Sequence, residues 1–334
     1  MRQAKLGLWI AVLVILAGIL MGYKEGLAAE ASMYPNQDIV CIVPYVPGGT
    51  NDIIARASAP YIRKHLPRQV NVVVQNISAA GGRVGSFQVY DAKPDGYTIG
   101  QMEPLVFIVA EAMGELGKRD ITHMTWLPRV ATTPFVMGVS PQSSIQNIDD
   151  LKKVKRIRAA VTQAILAGNV AFLRYMGVDP QVVMYGGGAE ACLAAMRGDV
   201  DLVITAGYTL LRQAESSGGR LIPKVVFAEN RLSVAPNLPT AKELGISVPK
   251  EILTLMTFDA VFAAPYSLPA DVHKILNEAI EKTLRDPSFI KEMENAKVPV
   301  AMLPSEEMQK RISEVSKIVP SYIEAIRQAL PRLK

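Results

Sequence analysis

Twice along this chain an apolar, β-branched run leads through glycine or polar residues into a segment with helical spacing. This repeated rhythm limits the possible folds more than any other feature. In the first half a strand over 39–45 precedes a helix over 52–65, a strand over 70–74, a glycine-rich turn with a helix over 82–92, and a strand over 97–102. In the second half a strand over 157–161 precedes a helix near 166–176, a strand over 181–185, Gly186-Gly187-Gly188 with a helix over 189–197, and a strand over 200–205. Such β-α-β units build parallel sheets, whose ligands bind beyond the carboxyl ends of the strands. At 334 residues the chain exceeds what one core usually holds, so two lobes are expected.

The C-terminal third reads differently. Ser267-Leu268-Pro269-Ala270-Asp271 opens a helix whose Val272, Ile275, Leu276, Ala279, Ile280 and Leu284 share one face. Asp286-Pro287 starts another, and Ser305-Glu306-Glu307 a last long one that Pro320 should kink. With too few strands for a lobe of their own, these helices are expected to pack on the first lobe and make it discontinuous. Residues 32–131 with 258–334 then form one lobe and 132–257 the other, with crossings near 129–136 and 253–262.

Arg2 and Lys5 precede an apolar run from Leu6 to Met21, and Leu27-Ala28-Ala29-Glu30-Ala31 supplies small residues after it. That is the pattern of a secretory signal over 1–31, and an uncleaved anchor is the competing reading. A periplasmic address follows. The formal charge of +5 is interspersed, and only Lys152-Lys153-Val154-Lys155-Arg156 concentrates it, as a solvated surface would. With few aromatics and no recognition motif, a nucleic-acid partner is not expected. Cys41 lies in an apolar strand and Cys192 among alanines, so both are expected as separate buried thiols. His65, His123 and His273 never approach metal-ligand spacing, and no nucleophile elbow occurs. Neither a metal nor a cofactor is expected, and no catalytic group stands out.

Two loops point to a small ligand. After Ile42-Val43-Pro44-Tyr45, the residues Pro47-Gly48-Gly49-Thr50-Asn51-Asp52 pass from strand to helix. Glycines let the backbone approach a ligand, and a helix start offers unpaired N–H groups to an anion. Thr50 or Asn51 is the expected cap. No Gly-Lys-Ser/Thr follows, which excludes a nucleotide P-loop. Gly186-Gly187-Gly188-Ala189-Glu190-Ala191 satisfies the spacing of a dinucleotide turn. The acidic residue that should close the next strand is missing, because Asp199 and Asp201 open it.

Six ordered motifs carry a family resemblance over the chain from Tyr34 onward. Pro44-Tyr45-Val46-Pro47-Gly48-Gly49-Thr50-Asn51-Asp52 resembles a Pro-Phe-x-Pro-Gly-Gly-x-x-Asp loop, and the stretch from Asn76 through Gly81-Gly82-Arg83-Val84-Gly85 resembles Asn-x-x-x-Ala-Gly-Gly-x-x-Gly. Pro94-Asp95-Gly96-Tyr97-Thr98, Val183-Met184-Tyr185-Gly186-Gly187, Gly198-Asp199-Val200-Asp201 and the segment from Pro239 to Gly245 complete the order. Together they are similar to the solute receptors of tripartite tricarboxylate transporters, the Bug proteins.

The resemblance implies an α/β, two-lobed periplasmic binding fold of type II character. Each lobe would be a mainly parallel sheet flanked by helices, with the ligand cleft between them. It implies a monomer, not an enzyme, that closes on a small organic anion, a carboxylate, and presents it to membrane transporter subunits. Carried over by motif, ligand contacts fall to Pro47, Gly48, Gly49, Thr50 and Asp52, to Ala80, Gly81, Gly82 and Arg83, and to Tyr185 and Gly186. Where the family has a Gly-x-Gly-Ser turn this chain has Ala160-Val161-Thr162-Gln163-Ala164, which leaves Thr162 and Gln163 as donors. Glu103 replaces a small polar residue: facing the cleft it would repel a second carboxylate, and otherwise it turns to solvent. An enzyme on the same architecture, built on Asp52 and Arg83, and a sensor for a membrane kinase are the competing functions.

Overall fold

The structure, a computed structural model, describes residues 34–330; the leader segment over 1–31 lies outside them. Nine strands form its sheet: β1 (Ile39–Val43), β2 (Val72–Asn76), β3 (Thr98–Met102), β4 (Thr125–Val139), β5 (Arg156–Val161), β6 (Asp179–Met184), β7 (Leu202–Ala206), β8 (Ile222–Val226) and β9 (Thr257–Ala264). Their order is β2-β1-β3-β9-β4-β7-β5-β6, with β8 also on β4.

This order holds two parallel trios, β2-β1-β3 and β7-β5-β6, which are the two halves of the sequence rhythm. Between them lie two antiparallel strands. Thr125 to Pro134 of β4 pair with β9, and Phe135 onward pairs with β7 and β8. One 15-residue strand therefore belongs to both halves. The second half leaves and re-enters at a single point, where Phe135 N–H donates to the Met256 carbonyl at 2.8 Å.

The helices follow the expected positions within two residues. α1 is Thr50–His65; α2 is Arg83–Tyr90, preceded by a 3-10 turn over Ala79–Gly82; α4 is Leu166–Tyr175; α5 is Gly188–Arg197. Three helices lie outside the expected set. α3 (Leu105–Met113) has six consecutive buried residues, Leu105 to Ala110, and a helix buried all round shows no amphipathic stripe. α6 (Gly207–Ser216) starts directly from β7, and α7 (Lys250–Leu255) is a short turn before β9.

At the C-terminus, α8 (Ala270–Arg285) and α9 (Pro287–Asn295) pack on α1, as expected. α10 (Ser305–Ile318) lies on β4, then Pro320 forces a 3-10 turn over Val319–Tyr322. α11 (Ile323–Ala329) departs from the expectation that all these helices stay on the first lobe. It lies against α4 and β6 of the second half, where Ile326 and Ala329 are buried. The bend at Pro320 redirects the chain across.

Cys41 and Cys192 are both free and buried, in different halves, and burial pushes each thiol up to about 12. Among the described residues no helix is long and apolar enough to cross a membrane, and no cluster of three His, Cys, Asp or Glu is placed to hold a metal.

Candidate functional site

The first loop is organised from behind by Asp52. Its carboxylate accepts the Gly48 N–H at 2.9 Å, Arg56 Nε at 2.9 Å and Asn76 Nδ2 at 2.9 Å. Asn76 also donates to the Tyr45 carbonyl at 3.1 Å, tying the loop to β2. Burial works to raise the Asp52 pKa, but the Gly48 amide, Arg56 and Asn76 hold it below the usual carboxylate range. Asp52 is thus spent on the loop. Gly48 has φ 78°, a left-handed turn that glycine adopts without strain.

The expected cap is not made. Gly49 is the N-cap of α1, in extended conformation with no side-chain bond, and Thr50 and Asn51 already lie inside the helix. The Thr50 hydroxyl turns instead to the other half, 2.9 Å from Thr209 Oγ1. The first-turn amides, with no i−4 carbonyl to meet, stay available beside a space between the halves.

The second loop is strained on purpose. Ala80 (φ 52°), Gly81 (φ 66°) and Gly82 (φ 96°) are successively left-handed, and a non-glycine residue there costs roughly 1–2 kcal/mol. Gly82 admits no side chain, because a Cβ would meet the Pro44 carbonyl at 2.6 Å. The loop is thereby pressed on the first one, with Gly81 facing Gln163 of the second half.

The second half supplies three strand ends. After β5, Thr162 is extended and leads into a 3-10 turn and α4. After β6, Gly187 caps α5 in extended conformation, and a Cβ there would meet Val46 Cγ2 of the opposite half at 2.8 Å. At the end of β7 lie Thr205 and Ala206, and Thr209 follows on α6. These ends and the first two loops enclose a cavity of about 60 Å³. Among the described residues no charged side chain lines it. Its polar groups are threonine hydroxyls, the Asn51 amide and glycine backbone, with Tyr45 and Phe258 as aromatic walls. Asn51 Oδ1 is buried there with no hydrogen-bond partner.

Of the expected site residues, Gly49, Thr50, Gly81, Thr162 and Gly186 line this cavity. Pro47, Gly48 and Ala80 are exposed on the lips of the two loops, and Asp52 and Gly82 lie buried behind them. Gln163 faces Gly81 across the cleft. Tyr185 packs instead on the small core around Cys192. Arg83 forms an ion pair with Glu115 away from the cavity.

Glu103 corrects the sequence reading outright: it is 3% exposed, so it does not turn to solvent, and it does not line the cavity. Its carboxyl accepts Asp259 N–H at 2.6 Å and Leu105 N–H at 3.1 Å, and Tyr45 Oη accepts the Glu103 N–H at 3.3 Å. Burial, then the Asp259 charge, push Glu103 well above the usual carboxylate range, against the pull of the two amides and Arg311. Asp259 itself accepts Arg129 Nη1 at 2.9 Å and Arg311 Nε at 2.6 Å. The crossing strands β4 and β9 thus share a buried charged cluster with α10 and the end of β3.

Thr205, Thr209, Asn51 and the Gly187–Ala189 turn were missed as site residues. The glycine triplet after β6 was legible as a ligand turn and discounted only for nucleotides. Thr209 had no local signal, because its place depends on α6 starting without a loop.

Residues 54–327 match the model of TctC, the tripartite tricarboxylate transporter family receptor. The chain is 26% identical over 279 residues to protein BugT of Bordetella pertussis, covering 79% of this chain and 82% of that one. The solved periplasmic binding protein BugD superposes with a TM-score of 0.74 at 26% identity, over 87% of this chain and 98% of that one. MatC of Rhodopseudomonas palustris with bound malate and a second R. palustris protein with adipate share the fold, each at TM-score 0.70 and 20% identity. They cover 86% and 89% of this chain and 100% and 98% of their own.

Proposed function

Because the chain belongs to the tripartite tricarboxylate transporter receptor family, periplasmic solute-binding receptors and not enzymes, we propose that it captures a small carboxylate by closing its two halves and delivers it to membrane transporter subunits. One observation carries the ligand class. The starts of α1 and α5 face the same small cavity, each offering unpaired first-turn amides, and among the described residues no acidic side chain lines the space. Helix starts carry partial positive charge, so a carboxylate is met without a buried countercharge that would itself need desolvating. The malate and adipate of the R. palustris proteins agree with that chemistry.

We place the hinge in β4 and β9, between a lobe of 34–131 with 258–322 and one of 132–257 that α11 joins. The halves already meet at Val46–Gly187 and Thr50–Thr209, and ligand contacts from both sides would favour this arrangement over an open one. A monomer, exported by its leader segment, suffices for this role.

A thermal-shift panel of mono- and dicarboxylates, amino acids and neutral sugars tests the reading. A carboxylate at 100 times its Kd should add about 2.7 kcal/mol to stability. Stabilisation by neutral or cationic compounds alone would sink it.

A further inference from the structure

Near the cavity, the arginines are spoken for with one exception. Arg56 pairs with Asp52, Arg83 with Glu115, and Arg129 and Arg311 with Asp259. Arg212, on α6 one turn beyond Thr209, has no acidic partner among the described residues. Its Nη1 is buried and unpaired, and its Nη2 donates to Thr50 Oγ1 at 3.3 Å. The neighbouring acid, Glu215, is engaged by Lys297 at 2.5 Å. Removing a guanidinium from water without a countercharge is costly, and burial pushes its pKa down, so the position calls for a negative charge nearby.

The hydroxyls in front of it supply the link. Thr50 and Thr209 both line the cavity and lie 2.9 Å apart. Thr50 Oγ1 spends one lone pair on Arg212. Of the two hydroxyl protons, one is used between the threonines, and the other finds no acceptor among the described residues. The pair is therefore left as a net donor toward the cavity, with a positive charge one atom behind it.

We infer that Arg212 is a positioning residue for an anionic ligand group, orienting the Thr50–Thr209 hydroxyl pair to donate to a carboxylate and supplying the charge that favours acid over neutral analogues. This rests on the carboxylate reading above. It assigns a charged specificity residue to a cavity whose lining side chains carry none.

Calorimetry on the full mature chain with malate and with adipate, each set against its neutral diamide, tests the inference. Arg212→Gln should weaken acid binding by about tenfold or more, the scale of a lost charge-assisted hydrogen bond, and leave diamide binding unchanged. Arg212→Lys should restore most of the acid preference. Thr209→Val, which keeps the charge and removes the link, should lower acid affinity by a smaller factor, and Thr209→Ser should recover it. Unchanged acid affinity in Arg212→Gln overturns the inference. So does an equal loss for acid and diamide, which would make Arg212 a mere latch between the halves. If wild-type protein binds neither malate, adipate nor any other carboxylate, the ligand class itself is wrong and the inference falls with it.

Discussion

Two buried polar regions lie back to back in this protein and solve opposite problems. The cavity is lined by hydroxyls, an amide and glycine backbone, with no charged side chain among the described residues. Behind it, where β3, β4, β9 and α10 meet, Glu103, Asp259 and Arg311 crowd around a void of only about 10 Å³, and Arg129 holds Asp259 from the other side. Built-in partners justify charges in the second region, where Arg129 and Arg311 both hold the Asp259 carboxylate. A site that fills and empties cannot offer that guarantee. Neutral dipoles are easier to leave unpaired between ligands than ions are.

The strongest way to break this contrast is to remove the centre of the charged region. Asp259→Ala leaves Arg129 and Arg311 buried without a carboxylate, and unfolding by urea should show a loss of about 3–5 kcal/mol. Thr209→Val, in the cavity, removes one neutral hydrogen bond and should cost only about 1 kcal/mol. Equal losses from the two would erase the distinction.

The next test separates closure from stability. Gly187→Val places a Cβ where Val46 Cγ2 already stands at 2.8 Å, so the halves should be held apart. Ligand affinity should fall more than about tenfold while unfolding shifts little, since α5 keeps its extended N-cap. Gly48→Ala is the converse: it adds strain at φ 78° of roughly 1 kcal/mol but nothing within 4 Å to block closure. A Gly187→Val protein that binds as the wild type does would show that the two halves need not meet.

The two regions should also respond oppositely to pH. Asp52, beside the cavity, is held low, so its contribution to stability is present above its ordinary range and is lost as pH falls below about 4. Glu103 is raised, so its contribution is complete below its ordinary range and is lost as pH rises through its elevated value. Glu103→Gln should abolish that alkaline-side loss, leaving only a constant offset from the mismatched Leu105 N–H. Urea denaturation from pH 3 to pH 8 reads both limbs. An unchanged slope on the alkaline side would mean that Glu103 is ionised in the fold. The smallest effect concerns the thiols: with both pushed up to about 12, neither Cys41 nor Cys192 should alkylate at neutral pH until the protein is denatured.

How much of this was written locally in the chain depends on the residue. The strand–glycine–helix units were legible because Ile39–Val43 is an apolar run, and Arg156–Val161 ends in one, each stopped by turn residues. Their loops were legible for the same reason, and four of the motif-derived residues do line the cavity. α3 was not, since burial on every side erases its period. Asp52 and Arg83 looked like ligand groups because an isolated charge beside a glycine loop reads that way. Arg83's partner, Glu115, sits 32 residues away, beyond any local pattern, while Asp52 is held by its neighbours Gly48 and Arg56 as well as by Asn76, 24 residues on. Glu103 failed for a related reason: its stabilising amide belongs to Asp259, 156 residues on. Arg212 was unremarked because nothing in its neighbourhood distinguishes it until α6 and α1 are brought together.

The double membership of β4 has a consequence for how the molecule is made. Residues between Phe135 and Met256 form an insert whose ends meet at one hydrogen bond, so that portion has all its strands once Met256 has emerged. The earlier portion does not: β3 pairs early with β1 but finds its second neighbour only in β9, and α1 waits for α8 and α9 to cover it. Long-range pairings of this kind form late, because loop closure must precede the contacts that reward it. On refolding, the chain should therefore acquire its middle first and its beginning last. Pulse-labelled hydrogen exchange during refolding should protect β5, β6 and β7 before β1, and the N-terminal strands would spend the interval as the segment most in need of a chaperone.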